Sequence, residues 1–255
     1  MASQRDTSTI CVFDVDGTLT EPRLKIQPDM EEFLQKLKSK VDVALVGGSD
    51  LVKIEEQMQD PKSNESVTKK FNYVFSENGL VAYHNGEKVG QEDLLNYAGE
   101  EKLQKVINFA MKYMSDIKLP AKRGTFFEFR SSMINICPVG RSCSQKERLE
   151  FAAYDKEHKM REKFQTALRE AFPDDGLVFA IGGQISIDVY PVGWDKTFCL
   201  KFIEKGNYKT IHFFGDKTDP GGNDHEIYSD PRTIGHKVAN PKDTIKQVSE
   251  LFFKD

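Results

Sequence analysis

The 255-residue sequence lacks three features that mark particular classes of protein. Its four cysteines form no CxxC pair, which argues against a zinc knuckle and favours a reducing compartment. No apolar run approaches the roughly 18 residues of a membrane span, and the amino terminus lacks the apolar stretch of a secretory signal. The formal charge of −4 gives no sign of a basic nucleic-acid-binding surface. We therefore expect a cytoplasmic protein that binds neither membranes nor nucleic acid.

Short apolar stretches alternate with amphipathic segments in the first and last parts of the sequence. Residues 10–13, 41–46, 73–75 and 211–214 have the uninterrupted apolar character of strands buried on both faces of a parallel sheet. Helical spacing follows Pro28, Ser49 and Pro241, and a further helix is predicted over 196–203. This alternation predicts an α/β domain with a Rossmann-like parallel sheet.

A different pattern occupies the middle of the chain. A long helix is predicted around 103–114, and 125–136 alternates as one half-exposed strand with Glu128 and Arg130 on its polar face. A capping box at 144–147 opens a second long helix that continues to Leu168, and residues 184–190 alternate again. We predict an α+β insert, with core residues 1–88 and 190–255 and an inserted domain at 89–189.

The stretch Asp14-Val-Asp16-Gly17-Thr-Leu-Thr, directly after the first apolar strand, carries the strongest chemical signal. In extended backbone, residues i and i+2 point the same way, so both carboxylates can face one ligand. Open α/β sheets place their sites at the carboxyl ends of strands, where this pair lies. Alone, an Asp-x-Asp pair is more often a polar turn that caps a helix.

These residues resemble the haloacid dehalogenase superfamily of phosphotransferases. Ser49 resembles the superfamily's phosphate-binding hydroxyl, although a serine in this position is by itself more often a helix N-cap. Lys196 resembles its neutralising lysine, although an isolated lysine early in a helix is usually solvated. The stretch 215–224 resembles the superfamily's acidic metal motif. Alternatively, its glycines and aspartates could simply form ordinary turns.

A closer resemblance, spread over nearly the whole chain, is to the eukaryotic phosphomannomutases. It rests on the segments FDVDGTLT, VGGSD, ENGLVAY, KRGTFFEFR, GRSCSQKER, GGQISIDVYP, GWDK and FFGDKTDPGGNDHEI. The resemblance implies a core of the haloacid dehalogenase type, a cap domain formed by the insert, and a homodimer joined through the caps. It also implies Mg²⁺, a hexose 1,6-bisphosphate activator, and a role in supplying mannose 1-phosphate for GDP-mannose and protein glycosylation.

The same resemblance assigns roles to individual residues. Asp14 would be the nucleophile and Asp16 the general acid and base, with Ser49 and Lys196 beside them. Mg²⁺ would be held by Asp14, the Asp16 backbone carbonyl and Asp216. The remaining assignments are a structural cation held by Tyr228 (through its backbone), Asp230 and Thr233, and a sugar-phosphate pocket formed by Arg23, Arg130, Arg141, Arg148, Ser186 and Asp188.

Two other functions remain open at this point. A sugar-phosphate phosphatase of the same superfamily would use the same core motifs, with water accepting the phosphate from Asp14. A non-catalytic binding protein is disfavoured, because such a protein has no need of the set Asp14, Asp16, Ser49, Lys196 and Asp216.

Overall fold

The structure, a computed structural model, describes residues 5–59 and 65–253. Its strands are β1 (Asp6–Phe13), β2 (Val41–Val46), β3 (Tyr73–Ser76), β4 (Val81–His84), β5 (Glu87–Gln91), β6 (Phe127–Phe129), β7 (Ile134–Ile136), β8 (Leu177–Gly182), β9 (Ser186–Pro191), β10 (Thr210–Gly215) and β11 (Ile234–Lys237). Its helices are α1 (Pro28–Lys38), α2 (Leu51–Met58), α3 (Val67–Lys70), α4 (Leu94–Ala98), α5 (Glu100–Asp116), α6 (Gln145–His158), α7 (Met160–Ala171), α8 (Leu200–Ile203), α9 (His225–Ser229) and α10 (Pro241–Phe252). None of the described helices is both long enough and apolar enough to cross a membrane.

The chain divides into two compact units. One unit, here called the core unit, contains the residues up to Gln91 and those from Gly193 onward, and the other, here called the insert, runs from Glu92 to Val192. These boundaries lie three residues later than the positions 88/89 and 189/190 expected from the sequence. The shift arises because β5 still pairs with β4 of the core sheet, and because β9 continues to Pro191.

The core unit is built on a seven-stranded sheet in the order β11-β10-β1-β2-β3-β4-β5. The five strands from β11 to β3 are parallel, and β4 and β5 extend the sheet as an antiparallel hairpin. The predicted parallel sheet is confirmed. The hairpin was not predicted, because its half-exposed residues carry little apolar periodicity.

Alternate residues of the central strands enter two apolar clusters, one on each face of the core sheet. Cys11 and Phe13 of β1 pack in a cluster with residues of α1, α2 and α10. Ile10 and Val12 pack on the opposite face with residues of α8 and α9. Since both faces are covered, β1 and β2 end in apolar runs at 10–13 and 43–46, and side chains at their carboxyl ends are held on a rigid base.

The insert contains a four-stranded antiparallel sheet in the order β6-β7-β9-β8. Two sequence predictions for this unit were wrong in detail. The single strand predicted over 125–136 is two antiparallel strands, β6 and β7, because the chain reverses between Arg130 and Met133. The long helix predicted after the capping box is divided at Lys159, whose φ of 53° is incompatible with a continuous α-helix. The capping box of Ser144 and Glu147 is confirmed.

Candidate active site

A cavity of about 210 Å³ opens at the carboxyl ends of β1 and β2 in the core unit. The residues that line it are Asp14, Val15, Asp16, Gly47, Gly48, Ser49, Ile54, Gln57, Lys217 and Asn223. Strands β1 and β2 lie side by side and parallel, so the loops that follow them emerge at the same edge of the sheet. This location agrees with the general position of ligand sites in open α/β sheets.

Asp14 is the first residue after β1, and its side chain is almost fully buried. Its Oδ1 accepts a hydrogen bond from the Lys196 Nζ, which also donates to Asp224 Oδ1. Lys196 is completely buried, so its interpretation as a solvated helix residue is wrong. It begins a short 3₁₀ turn (Lys196–Cys199) that precedes α8, where the sequence suggested one continuous helix.

Burial and neighbouring charges shift the pKa values of this pair. The pKa of the Asp14 carboxyl is raised to about 6, mainly by burial; the charge of Lys196 opposes this rise and the charge of Asp224 adds to it. Burial alone would lower the pKa of Lys196, but the carboxylates of Asp14 and Asp224 raise it above its ordinary value. The lysine therefore stays positively charged and lies where charge on a group bound to Asp14 would develop.

Asp16 is half-buried and is oriented by two hydrogen-bond donors. Its Oδ1 accepts from the backbone N–H of Arg23 at 2.7 Å and from Gln57 Nε2 at 2.8 Å. Gly17 makes the turn that follows, with a φ of +84°, and a Cβ atom there would lie 2.5 Å from Asp216 Oδ2. A residue with a side chain would therefore disturb both the backbone and the neighbouring carboxylate.

Three carboxylates in the core unit are grouped as ligands of a cation would be. One oxygen each from Asp14, Asp216 and Asp224 lies within 4.8 Å of the others. Asp216 Oδ1 is buried and has no hydrogen-bond partner within the described residues. A buried carboxylate oxygen without a partner is costly, and Mg²⁺ prefers oxygen ligands of this kind. These residues fit a bound Mg²⁺.

Ser49 lines the cavity, as the sequence suggested. It is not the N-cap of α2, because Asp50 fills that role by accepting from Lys53 N at 2.9 Å. The alternative interpretation of Ser49 as a helix cap is therefore wrong. Ser49 lines the same cavity as Asp14 and Asp16.

The residues predicted to hold a second cation lie around the turn between α9 and β11. The Asp230 carboxylate accepts from Arg232 Nε at 2.8 Å and from Arg232 Nη2 at 2.7 Å. Thr233 Oγ1 donates to the Ile227 carbonyl at 2.6 Å, and Tyr228 is half-buried in α9. A cation at Tyr228, Asp230 and Thr233 would have to replace the Arg232 guanidinium.

Several predicted sugar-phosphate residues meet on the sheet of the insert. Arg141 Nη1 donates to Asn135 Oδ1 at 2.7 Å, and Asn135 Nδ2 donates to Asp188 Oδ1 at 2.5 Å. Burial raises the pKa of Asp188, while the Asn135 hydrogen bond and the charge of Arg130 lower it. Arg130, Arg141 and Asp188 thus form one polar cluster, with Asn135 as an additional member.

The other predicted pocket residues take separate positions. Ser186 is buried, and its hydroxyl donates to the Gly182 carbonyl at 2.9 Å. Arg148 is half-buried in α6 and forms no ion pair within the part of the chain that the structure describes. Arg23 belongs to the core unit, where it is exposed and has a φ of 63°.

Comparison with known proteins identifies the family of this chain. The sequence profile of the eukaryotic phosphomannomutases matches residues 30–254. Phosphomannomutase 1 from Homo sapiens is 51% identical over 254 residues, which cover 100% of this chain and 96% of that protein. A probable phosphomannomutase from Caenorhabditis elegans is 54% identical over 251 residues, 98% of each chain. The chain belongs to the eukaryotic phosphomannomutase family.

The fold of this phosphomannomutase family member is also found in more distant structures. A haloacid dehalogenase-like hydrolase from Bacteroides thetaiotaomicron superposes with a TM-score of 0.53 at 15% identity, over 87% of this chain and 85% of that one. At this identity the likeness concerns the fold alone. It supports the predicted α/β core of the haloacid dehalogenase type with an α+β insert.

Three site residues of this family member were not predicted from its sequence. Asp224 ends the acidic motif, but spacing along a loop does not tell which of its carboxylates turn inward. Gln57 shares the apolar side of α2 with Ile54 and Met58, and a glutamine on that side was an available signal. Asn135 is a polar residue between apolar neighbours in β7, which is the same kind of signal.

Proposed function

We propose that this chain interconverts mannose 6-phosphate and mannose 1-phosphate through a phosphorylated Asp14. The observation that carries the proposal is the buried contact of Asp14 with Lys196, beside two further carboxylates, in a chain of the phosphomannomutase family. A carboxylate held in this way is placed to attack a phosphorus atom, and a buried cation is placed to stabilise the transferred charge.

In one half-reaction, an Asp14 carboxylate oxygen forms a bond to a phosphorus atom of the hexose 1,6-bisphosphate as the bond from that phosphorus to the sugar oxygen breaks, which leaves a hexose monophosphate. Asp16 gives a proton to the departing sugar oxygen. Within the described residues, both hydrogen-bond donors to the Asp16 carboxylate bind Oδ1, which leaves Oδ2 for the proton. In the other half-reaction, a hydroxyl of a hexose monophosphate attacks the phosphoryl group on Asp14, which forms the bisphosphate and frees the Asp14 carboxylate, and Asp16 takes the hydroxyl proton.

The second phosphate of the sugar requires a separate anion site. We propose that Arg130, Arg141 and Arg148 bind it, since guanidinium groups hold phosphate oxygens bidentately and remain charged at any working pH. Ser186 and Asp188 then contact the sugar, and Arg23 contributes from the core unit. A hexose 1,6-bisphosphate serves as the activator by phosphorylating Asp14 before the first turnover.

Mg²⁺ belongs to the proposal as a cofactor. Asp14, the Asp16 backbone carbonyl and Asp216 would hold it, and the grouping with Asp224 and the unpartnered Asp216 oxygen support this assignment. The ion would supply positive charge beside the transferring phosphoryl oxygens. Tyr228, Asp230 and Thr233 remain the proposed holders of a second cation, provided that Arg232 turns away.

Metal binding has a test that does not depend on turnover. Addition of Mg²⁺ should raise the melting temperature of the wild-type protein, because a ligand that binds only the folded state stabilises it. The shift should be lost in Asp216→Asn and kept in Asp29→Asn, an exposed aspartate of α1. Equal shifts in all three proteins would remove Asp216 from the metal site.

The decisive activity test supplies mannose 1-phosphate with glucose 1,6-bisphosphate and Mg²⁺. We expect mannose 6-phosphate without a matching release of inorganic phosphate. Release of inorganic phosphate without mannose 6-phosphate would establish the phosphatase instead. Asp14→Asn should abolish turnover and keep the fold, with Asp29→Asn as the active control, and turnover in Asp14→Asn would exclude the covalent mechanism.

The assembly and the cellular role are further parts of the proposal. The chain forms a homodimer through its inserts, lies in the cytoplasm, and supplies mannose 1-phosphate for GDP-mannose and protein glycosylation. Sedimentation of the full chain at micromolar concentration should give twice the 29.0 kDa chain mass. A mass of one chain under those conditions would contradict the dimer.

A further inference from the structure

A row of three polar side chains crosses the sheet of the insert. Glu128 of β6 lies opposite Asn135 of β7, and Asn135 lies opposite Asp188 of β9. Residues directly opposite each other in an antiparallel sheet project from the same face. The three side chains therefore share one face, and Arg130 joins them because it lies two residues from Glu128.

Glu128 lies between two of the arginines assigned to phosphate binding. Its Oε2 is 3.1 Å from Arg130 Nε and 3.1 Å from Arg141 Nε. Arg130 Nη2 also donates to this oxygen. One carboxylate oxygen thus accepts hydrogen bonds from Arg130 and forms an ion pair with Arg141, which is a place that a phosphate oxygen could take.

The two carboxylates of this cluster differ in how firmly they are held. Asp188 is half-buried, and its carboxylate is held by the amide of Asn135. The Glu128 side chain is 39% exposed, and the arginines beside it are 41% and 33% exposed. A charge this close to solvent can leave its partners at little cost, because water replaces the lost contacts. Glu128 is the displaceable carboxylate of the pair.

We propose that Glu128 is a resident competitor for phosphate, which occupies the anion position between Arg130 and Arg141 and weakens phosphate binding there. The proposal rests on the proposed function. A mutase must release the non-reacting phosphate so that the sugar bisphosphate can turn around between the two half-reactions. Binding that is too tight would stabilise this intermediate without lowering the barriers on either side of it.

The test removes the negative charge of Glu128 and keeps the shape of its side chain. In Glu128→Gln, we expect the KM for mannose 1-phosphate and the inhibition constant of inorganic phosphate to fall by roughly fivefold, because a neutral amide competes less well than a carboxylate for guanidinium groups. Glu128→Ala, which removes the competing group entirely, should change both constants in the same direction. If Glu128 only held the arginines in place, both constants would rise in these variants.

Two controls isolate the effect. Glu162→Gln makes the same change of charge in the same unit, at an exposed residue of α7 paired with Lys159, and should leave both constants unchanged. The effect of Glu128→Gln should also disappear in an Arg141→Ala background, since the competition requires that arginine.

The outcomes separate this proposal from the proposed function. Weaker or unchanged phosphate binding in both Glu128 variants, measured by calorimetry with inorganic phosphate, would overturn the competitor role. Calorimetry needs no turnover, so this result stands even if the wild-type chain proves to be a phosphatase. Failure of the wild-type chain to form mannose 6-phosphate would instead overturn the proposed function.

Discussion

At the scale of single residues, the orientation of Asp16 depends on Gln57. The Gln57 amide donates to Asp16 Oδ1 at 2.8 Å, and Gln57 as a whole is only 9% exposed. Gln57→Leu keeps the apolar packing of α2 but removes a hydrogen bond to a charged group, a bond worth about 1.5–3 kcal/mol. We expect kcat to fall roughly 10- to 100-fold with a much smaller change in KM, measured with mannose 1-phosphate.

The control for this variant makes the same substitution outside the site. Gln104 donates to Glu100 Oε1 at 2.7 Å on the exposed side of α5, so Gln104→Leu should leave kcat unchanged. Wild-type kcat in Gln57→Leu would mean that the backbone N–H of Arg23 alone is enough to hold Asp16.

The sequence predicted the positions of Asp14, Ser49 and Asp216 at strand ends because an apolar strand and the residue after it are adjacent in the chain. The partners Gln57 and Asp224 could not be assigned in the same way. Gln57 approaches Asp16 from a helix 41 residues away. Asp224 reaches Lys196 because the loop after β10 folds back on itself. The backbone N–H of Asp224 donates to the Lys217 carbonyl within this loop.

At the scale of secondary-structure elements, α10 is attached to the loop that carries Asp14 and Asp16. Thr244 is fully buried, and its Oγ1 donates to the Thr18 carbonyl at 2.7 Å. Thr244→Val keeps the side-chain shape and leaves that carbonyl without this partner. We expect a loss of about 1–3 kcal/mol in the free energy of unfolding, measured by urea denaturation.

Thr166→Val is the matched control for Thr244→Val. The Thr166 hydroxyl is exposed and bonds to the Glu162 carbonyl of its own helix at 3.0 Å, so its replacement should change stability by less than about 0.5 kcal/mol. Equal losses in the two variants would show that the contact between α10 and the loop adds nothing specific.

The edge strand β11 and its neighbour β10 contain a pair of histidines. His212 Nδ1 and His236 Nε2 are 2.9 Å apart, and His236 stacks on Phe214 with ring centroids 4.4 Å apart. Burial, with a contribution from His212, lowers the pKa of His236 to about 4. The folded state therefore favours the neutral imidazole, whereas the unfolded chain takes up a proton near pH 6.5.

The consequence is a loss of stability as the pH falls from about 6.5 towards 4, because the unfolded state then binds more protons than the folded state. His236→Gln keeps a hydrogen-bonding side chain but does not titrate. Between about pH 6.5 and 4, the free energy of unfolding of His236→Gln should fall by about 1–2 kcal/mol less than that of the wild type. This difference allows for solvent screening of a half-buried group. Parallel curves for the two proteins in urea denaturation at each pH would contradict this prediction.

The elements that the sequence predicted best are those with the strongest local signals, such as β1 and β2, which end in uninterrupted apolar runs. The break at Lys159 had no such signal, because lysine is an ordinary helix residue and nothing local requires its left-handed conformation. The Arg161 side chain supplies part of the reason, since it bonds Asp155 Oδ2 at 2.8 Å and the Gly183 carbonyl at 3.0 Å. These contacts join the start of α7 to the end of α6 and to the β8–β9 turn, and the second of them depends on tertiary structure.

At the scale of the whole molecule, the insert is one continuous segment and the core unit is not. The insert was predictable because strand character changes from uniformly apolar to alternating, but its limits were not, since β5 and the end of β9 carry weak patterns. Its own buried residues include Phe151, Phe164 and Phe179. The sheet is covered on one face by α7, which also contacts α5 and α6.

This difference in continuity leads to a prediction about folding. Residues 92–192 expressed alone should fold, because every strand of their sheet and the helices that cover it lie within that segment. We expect a cooperative urea transition with a slope of about 1–3 kcal/mol/M, followed by circular dichroism. Residues 1–91 expressed alone should not show a cooperative urea transition. Strand β1 would lose its neighbour β10, and the apolar cluster of Ile10 and Val12 would lose α8 and α9. A gradual, non-cooperative loss of signal in the 92–192 segment would mean that the insert depends on the core unit for its stability.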